Sequence, residues 1–268
     1  MLYRSLTEVY SRIESTGSRF QVTAELARLL AHTPARVITK VVYLIQGKLR
    51  PDWEEVEVGL GEKLALRAVA AAVGTSDAAV LREARRRGDL GDAAQHLMRD
   101  HQAVAPALSV ENVYGALERI ALLAGKGSQS LKLDLLRAVL TRATPLEARY
   151  LLRTVTGRLR IGVGEATVLE GLVEAFGAPR GDVERAYNLT ADLSSAARAL
   201  AERGPRALEA IRAKVDKPIR PMLAERLYSV EDIVAKLCWW STHSWWFRSS
   251  RSAGCPAGRN RLARMIEP

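Results

Sequence analysis

The chain contains itself twice. "GLGEKLALRAVAAAVG" at 59–74 returns as "GVGEATVLEGLVEAFG" at 162–177, and "DLGDAAQHL" at 89–97 returns as "DLSSAARAL" at 192–200, both displaced by 103 positions. One displacement shared by two separate blocks marks a duplication. Upstream, "GKLR" (47–50) matches "GRLR" (157–160) at a displacement of 110, the first copy carrying an extra "PDWEEVE". Further upstream, "HTPARVITKVVYLIQ" aligns with "ATPLEARYLLRTVTG" and "SLTEVYSRI" with "SVENVYGAL". The copies cover about residues 3–100 and 107–203. A unit this long exceeds solenoid repeats, so the expected architecture is two multi-helix halves related by a pseudo-twofold axis.

The periodicity within each copy is helical. "TAELARLLAHTP", "EKLALRAVAAAVG", "VYGALERIALLAG", "LKLDLLRAVLTRATP" and "EATVLEGLVEAFG" place apolar residues three and four apart, and most stop at Gly or Thr-Pro. No period-two alternation flanked by hairpin turns competes with them before residue 217, so the fold class is all-α. No stretch approaches the ~20 apolar residues of a membrane span, and "MLYRSLTEVYSRIE" lacks a signal peptide's apolar centre. The expectation is a cytoplasmic monomer without membrane contact. Two Cys and four scattered His offer neither a disulfide framework nor metal-ligand spacing.

The net charge of +10 favours an anionic partner such as nucleic acid. Each copy sets a basic pair before glycines and a helix start. These are Lys48 and Arg50 before Gly59-Leu60-Gly61-Glu62 with Lys63, and Arg158 and Arg160 before Gly162-Val163-Gly164-Glu165. Glycines let backbone approach a phosphate, and the first helical turn offers unpaired N–H groups at a positive dipole end. "GKGSQSLK" repeats the recipe with Lys126, Ser128, Gln129 and Lys132. Each element is also readable as a plain turn with a cap. Gly-Lys-Gly-Ser lacks the spacing of a nucleotide-binding loop and follows no strand, which rules out an ATPase site there. Arg85, Arg86 and Arg87 read as a solvated helix face, and Tyr187-Asn188-Leu189-Thr190 as a helix-to-helix joint whose Asn or Thr caps the next helix.

The composition changes at Cys238. Both Cys and four of the five Trp (Trp239, Trp240, Trp245, Trp246) fall in residues 238–268 with five Arg and one Glu, leaving 35 basic and 29 acidic residues before them. Two readings account for this text: a GC-rich gene read out of frame after about Leu237, or a real short tail whose Trp and Arg stack on bases.

"VVYLIQGKLRPDW", "GLGEKLALRAVA", "GDLGDAA", "GKGSQSLKLDLL", "TPLEARYLLRTVTGRLRIGVGEATVLEGL", "ERAYNLTADL" and "KPIRPMLAERL" together resemble, in family order and over about residues 1–237, the amino-terminal region of archaeal-type ATP-dependent DNA ligases. The resemblance implies a helical DNA-binding domain over 1–210 that grips duplex or nicked DNA across the minor groove, then the start of a nucleotidyltransferase domain over 211–237. Ser128, Gln129, Arg158, Arg160, Gly162 and Gly164 look like the family's backbone-contacting residues. In the family a Lys-x-Asp-Gly motif follows "PIRPMLAE"; its Lys takes AMP from ATP, with Mg2+ assisting. This sequence has no such motif, its nearest approach being Lys214-Val215-Asp216-Lys217. The expectation is a chain without ATP or Mg2+ chemistry of its own that binds DNA and does not ligate it. The alternative is a helical protein-interaction scaffold built around an apolar groove.

Overall fold

The computed structural model describes residues 1–100, 107–159, 161–215, 217–220, 229, 230 and 234. Arg160, residues 238–268 and most of 221–237 lie outside the described residues. Residues Met1–Pro221 form one compact unit, and the second unit is Met222–Pro268.

Among the described residues there are twelve α-helices and no strand. The first copy supplies α1 (Tyr3–Ser15), α2 (Arg19–Ala31), α3 (Ala35–Ile45), α4 (Glu62–Val73), α5 (Asp77–Arg87) and α6 (Leu90–Leu97). The second supplies α7 (Val110–Leu122), α8 (Ser128–Arg142), α9 (Pro145–Val155), α10 (Glu165–Phe176), α11 (Arg180–Thr190) and α12 (Leu193–Arg203). Short 3-10 helices cover Asp52–Glu54 and Pro205–Ala210. No single described helix is long and apolar enough to cross a membrane.

Local chemistry sets the helix limits. Thr144 accepts from the Glu147 backbone N–H while the Glu147 side chain accepts from that of Thr144, a capping box with Pro145 in the first turn. Ser109 and Asn112 do the same for α7. Gly74 and Gly177, at matched positions, end α4 and α10 with φ of +76° and +59°, which a Cβ would disfavour. The joint expected at 187–190 lies elsewhere: α11 runs through Thr190, and the cap of α12 is Asp192, which accepts from the Ser194 and Ser195 backbone N–H groups. A carboxylate two and three residues ahead of two open donors outcompetes the Thr190 hydroxyl, which donates to the Ala186 carbonyl.

The two copies interlock. α2 packs on α10 and α8 on α4; α6 packs on α9 and α12 on α3; α1 packs on α9 and α7 on α3. Exchanging each helix of one copy for its equivalent in the other returns the same pairings. The chain start repeats this reciprocity, with the Tyr3 N–H donating to the Leu108 carbonyl (2.9 Å) and the Val110 N–H to the Met1 carbonyl (3.1 Å). A continuous apolar core results, in which Leu26, Leu30, Ile38, Leu151, Val168 and Leu172 from both copies are fully buried. Small residues permit the closest crossings. A Cβ on Gly91 of α6 would stand 2.6 Å from the Arg149 carbonyl oxygen of α9, and one on Gly171 of α10 would stand 3.2 Å from Leu26 Cβ of α2.

One crossing is ionic. Arg153 of α9, its side chain 11% exposed, reaches Glu14 of α1 (2.6 Å) and Asp89 and Asp92 at the start of α6 (3.0 and 3.1 Å). Tyr150 packs edge-on to Tyr10 and donates to Glu14 (2.9 Å). The equivalent crossing, α12 on α3, has no cation at the matching place. Laying the limits of α3 on those of α9 gives a displacement of 110, one less than the alignment of these segments in the sequence, and puts Tyr43 opposite Arg153; burial raises the Tyr43 phenol, which faces Ser194 and Asp192. The cap aspartates Asp89 and Asp192 are themselves matched, so each serves its helix and the crossing at once.

Candidate nucleic-acid interface

Interlocking places the two basic, glycine-led elements side by side. A Cβ on Gly47 would lie 3.6 Å from Leu159 Cβ, so "GKLR" and "GRLR" touch. The loop from Gly47 to Leu60 and the end of α9 with Gly157 line an open groove of about 800 Å³ that includes Lys48 and Arg50.

The ion pairs across this junction are reciprocal. Lys48 Nζ of the first copy lies 3.9 Å from Glu165, the first residue of α10 in the second. Arg158 of the second copy lies 3.0 Å from Glu62, the first residue of α4 in the first. Lys48 also holds both Asp52 oxygens at 3.0 Å. Arg50 pairs with Glu54 (3.0 Å) and Glu118 (2.5 Å), and Glu118 holds its guanidinium above the ordinary arginine value. Tyr114 donates to the Leu49 carbonyl from beneath this loop; burial, then the Glu118 charge, push its phenol up to about 12 and keep it a neutral donor.

The helix starts predicted to receive anions are the glycine-capped ones. Gly61, Gly127 and Gly164 cap α4, α8 and α10, and none of these starts has a side-chain cap. Six other helices take side-chain oxygens from Ser18, Ser76, Asp89, Ser109, Thr144 and Asp192. No side chain covers the first turns of α4, α8 and α10; Leu64, Ser128 and Thr167 donate to the Gly61, Gly125 and Gly164 carbonyls, and the remaining first-turn N–H groups face basic side chains, an arrangement suited to an anion.

The structure thus brings Lys48, Arg50, Lys63, Arg158, Gly162 and Gly164 to one region. Lys63 is exposed and makes no ion pair among the described residues; Gly162 (φ +72°) and Gly164 are exposed. Lys126, Ser128, Gln129 and Lys132 surround the start of α8 beyond Gly127 (φ +84°). That helix packs on α4, but no hydrogen bond or ion pair among the described residues joins these four to the Lys48–Arg158 group. Sequence reasoning passed over Glu62 and Glu165 as the ion-pair partners. Their matched positions were visible; the crossing of the two copies was not. Arg220 and Tyr187, which close on Glu165, lie in quoted blocks of the sequence, but nothing there joined them to the basic, glycine-led elements.

Interlocked helical copies with glycine-capped, basic helix starts define an all-helical domain built from a duplicated unit. A family model described as DNA ligase N terminus matches residues 2–173, and the chain belongs to that family. It is 42% identical over 251 residues to a DNA ligase of Saccharolobus shibatae, covering 88% of this chain and 42% of that protein. DNA ligases of Saccharolobus solfataricus and Saccharolobus islandicus are 41% and 42% identical over the same shares. The chain therefore spans 42% of the length of these relatives.

Proposed function

We propose that this chain grips duplex DNA, nicked or intact, through its phosphates, as the DNA-holding part of an ATP-dependent nick-sealing enzyme. The observation that carries the reading is the reciprocal pairing of Lys48 with Glu165 and of Arg158 with Glu62 across two open helix starts. It sets two equivalent anion-accepting elements side by side, a spacing suited to a periodic polyanion. The Arg158–Glu62 pair is about half exposed on both sides (49% and 51%) and is worth at most about 1 kcal/mol, so a phosphate displaces Glu62 at small cost. The α8 start with Lys126, Ser128, Gln129 and Lys132 adds a further backbone contact. A protein-interaction scaffold would instead present an apolar groove, whereas the Gly47–Leu60 groove is rimmed by Lys48, Arg50, Asp52, Glu55 and Glu57.

The reading predicts contacts to phosphates and little sequence preference. If ~6 phosphates are neutralised, log affinity falls against log salt with a slope near −5. Replacing Arg158 and Arg160 by Ala weakens binding equally on unrelated sequences and flattens that slope. Titrating nicked and intact duplex at two salt concentrations measures both effects, and unchanged binding by the double variant refutes the assignment.

We assign no ATP or Mg2+ chemistry to the residues of this chain. The sequence has no Lys-x-Asp-Gly, and no group of His, Cys, Asp or Glu suited to a metal occurs among the described residues. No transfer step is assigned to this chain. Incubated alone with labelled ATP and Mg2+, it forms no covalent AMP adduct and seals no nick; a labelled band on the 268-residue chain refutes this.

A further inference from the structure

Arg220 reaches the interface from outside the duplicated copies. Its backbone N–H donates to the Asn188 carbonyl (2.9 Å) at the end of α11, and its guanidinium lies 4.3 Å from the centre of the Tyr187 ring. One guanidinium nitrogen stands 3.3 Å from Glu165 Oε2. Burial first, then the neighbouring Glu165, raises the Tyr187 phenol above the ordinary range. The other Glu165 oxygen faces Lys48 at 3.9 Å, and Lys48 in turn holds Asp52. Asp52, Lys48, Glu165 and Arg220 thus form a line of alternating charge from the 3-10 turn, through the first residue of α10, to the segment leaving the domain.

A carboxylate on the first residue of a helix has two opposed effects. It is favoured by the positive dipole end, and it repels a phosphate approaching the same N–H groups. At α10 that carboxylate is held by Arg220, which is itself stacked on Tyr187. At α4, the matched Glu62 has Arg158 alone as an ion-pair partner among the described residues. We infer that Arg220 is a positioning residue for phosphate binding: it draws Glu165 toward Tyr187 and frees Lys48 and the start of α10 for the anion. The inference rests on the DNA-binding reading above. Guanidinium suits the task because it stacks on the ring while gripping the carboxylate, which an ammonium does less well. Linkage makes the effect mutual, because a phosphate that takes Lys48 away from Glu165 leaves that carboxylate more fully to Arg220.

Arg220 and Glu165 are 41% and 38% exposed, so screening limits the effect to about 3- to 5-fold in affinity. The test is the anisotropy of labelled nicked duplex at low salt with the full chain and with Arg220→Ala, Arg220→Lys, Glu165→Gln and the double variant Arg220→Ala with Glu165→Gln. Arg220→Ala weakens binding about 3- to 5-fold, Arg220→Lys restores part of the loss, and Glu165→Gln binds at least as well as the parent. With Glu165→Gln in place, Arg220→Ala changes affinity by less than about 1.5-fold. Equal losses in both backgrounds overturn the inference, since Arg220 then acts independently of Glu165; no loss in either overturns it too. If Arg220→Ala lowers the melting temperature strongly, the same comparison with Arg220→Lys decides. A parent chain that does not bind removes the DNA-binding reading and this inference together, whereas a parent that binds while losses stay additive removes this inference alone.

Discussion

Ala191 ends α11 with φ +49°, a left-handed conformation that costs a Cβ-bearing residue about 1–2 kcal/mol. The matched position in the first copy is Gly88, which ends α5 at φ +77° without that cost. Ala191→Gly relieves the strain and gives back part of the gain through a more flexible unfolded chain. The net expectation is about 0.5–1 kcal/mol of added stability, read as a rise of a few degrees in melting temperature; a fall would mean that the Ala191 methyl packs usefully. The repeat made this position visible, because one copy carries the residue the turn favours and the other does not. The opposite lesson comes from Arg153. Nothing in "LEARYLLRTV" distinguishes a buried guanidinium bridging three carboxylates from a solvated one, since Glu14, Asp89 and Asp92 arrive from two distant helices.

Helices were the most legible level. Spacing and stop residues announced α2, α4, α7, α8 and α10, because burial of one face and the φ limits of Gly and Pro act over a few residues. The function of a helix start was half legible. Glycine before a basic helix allows an anion site or a bare turn, and only the structure leaves α4, α8 and α10 without a side-chain cap; α1, α3 and α11, which start after Leu2, Pro34 and Pro179, lack one as well, and the other six helices have one. That difference yields a test in which stability and binding move in opposite directions. Gly164 has cap-like extended geometry (φ −93°, ψ 172°) and open space where a Cβ would go. Gly164→Ser therefore adds a cap and stabilises the fold by a few tenths of a kcal/mol. It also fills N–H groups that a phosphate needs, so affinity for duplex DNA falls about 3-fold or more. A variant that melts higher and binds unchanged would show that the α10 start takes no phosphate.

At the scale of the whole domain, each copy buries its helices against the other: α2 on α10, α8 on α4, α6 on α9 and α12 on α3. The copies share one continuous core, so residues 1–106 and 107–221 made separately stay unfolded, while 1–221 melts in one cooperative transition with equal calorimetric and van't Hoff enthalpies. A cooperative melt of either half alone would contradict this. The reciprocal pairings also carry the proposed twofold relation, for which residues 59–97 should superpose on 162–200; dissimilar paths would refute it. Duplication, all-helical class and the positions of the basic, glycine-led elements were determined by the sequence alone, because they depend on local periodicity, on backbone limits and on a displacement that can be counted along the chain. Which Glu meets which base, how the copies interlock, and where Arg220 docks were decided only by tertiary structure. Ion pairs and close crossings join residues tens to more than a hundred positions apart, and their partners are chosen by the packing of whole helices, which no local pattern encodes.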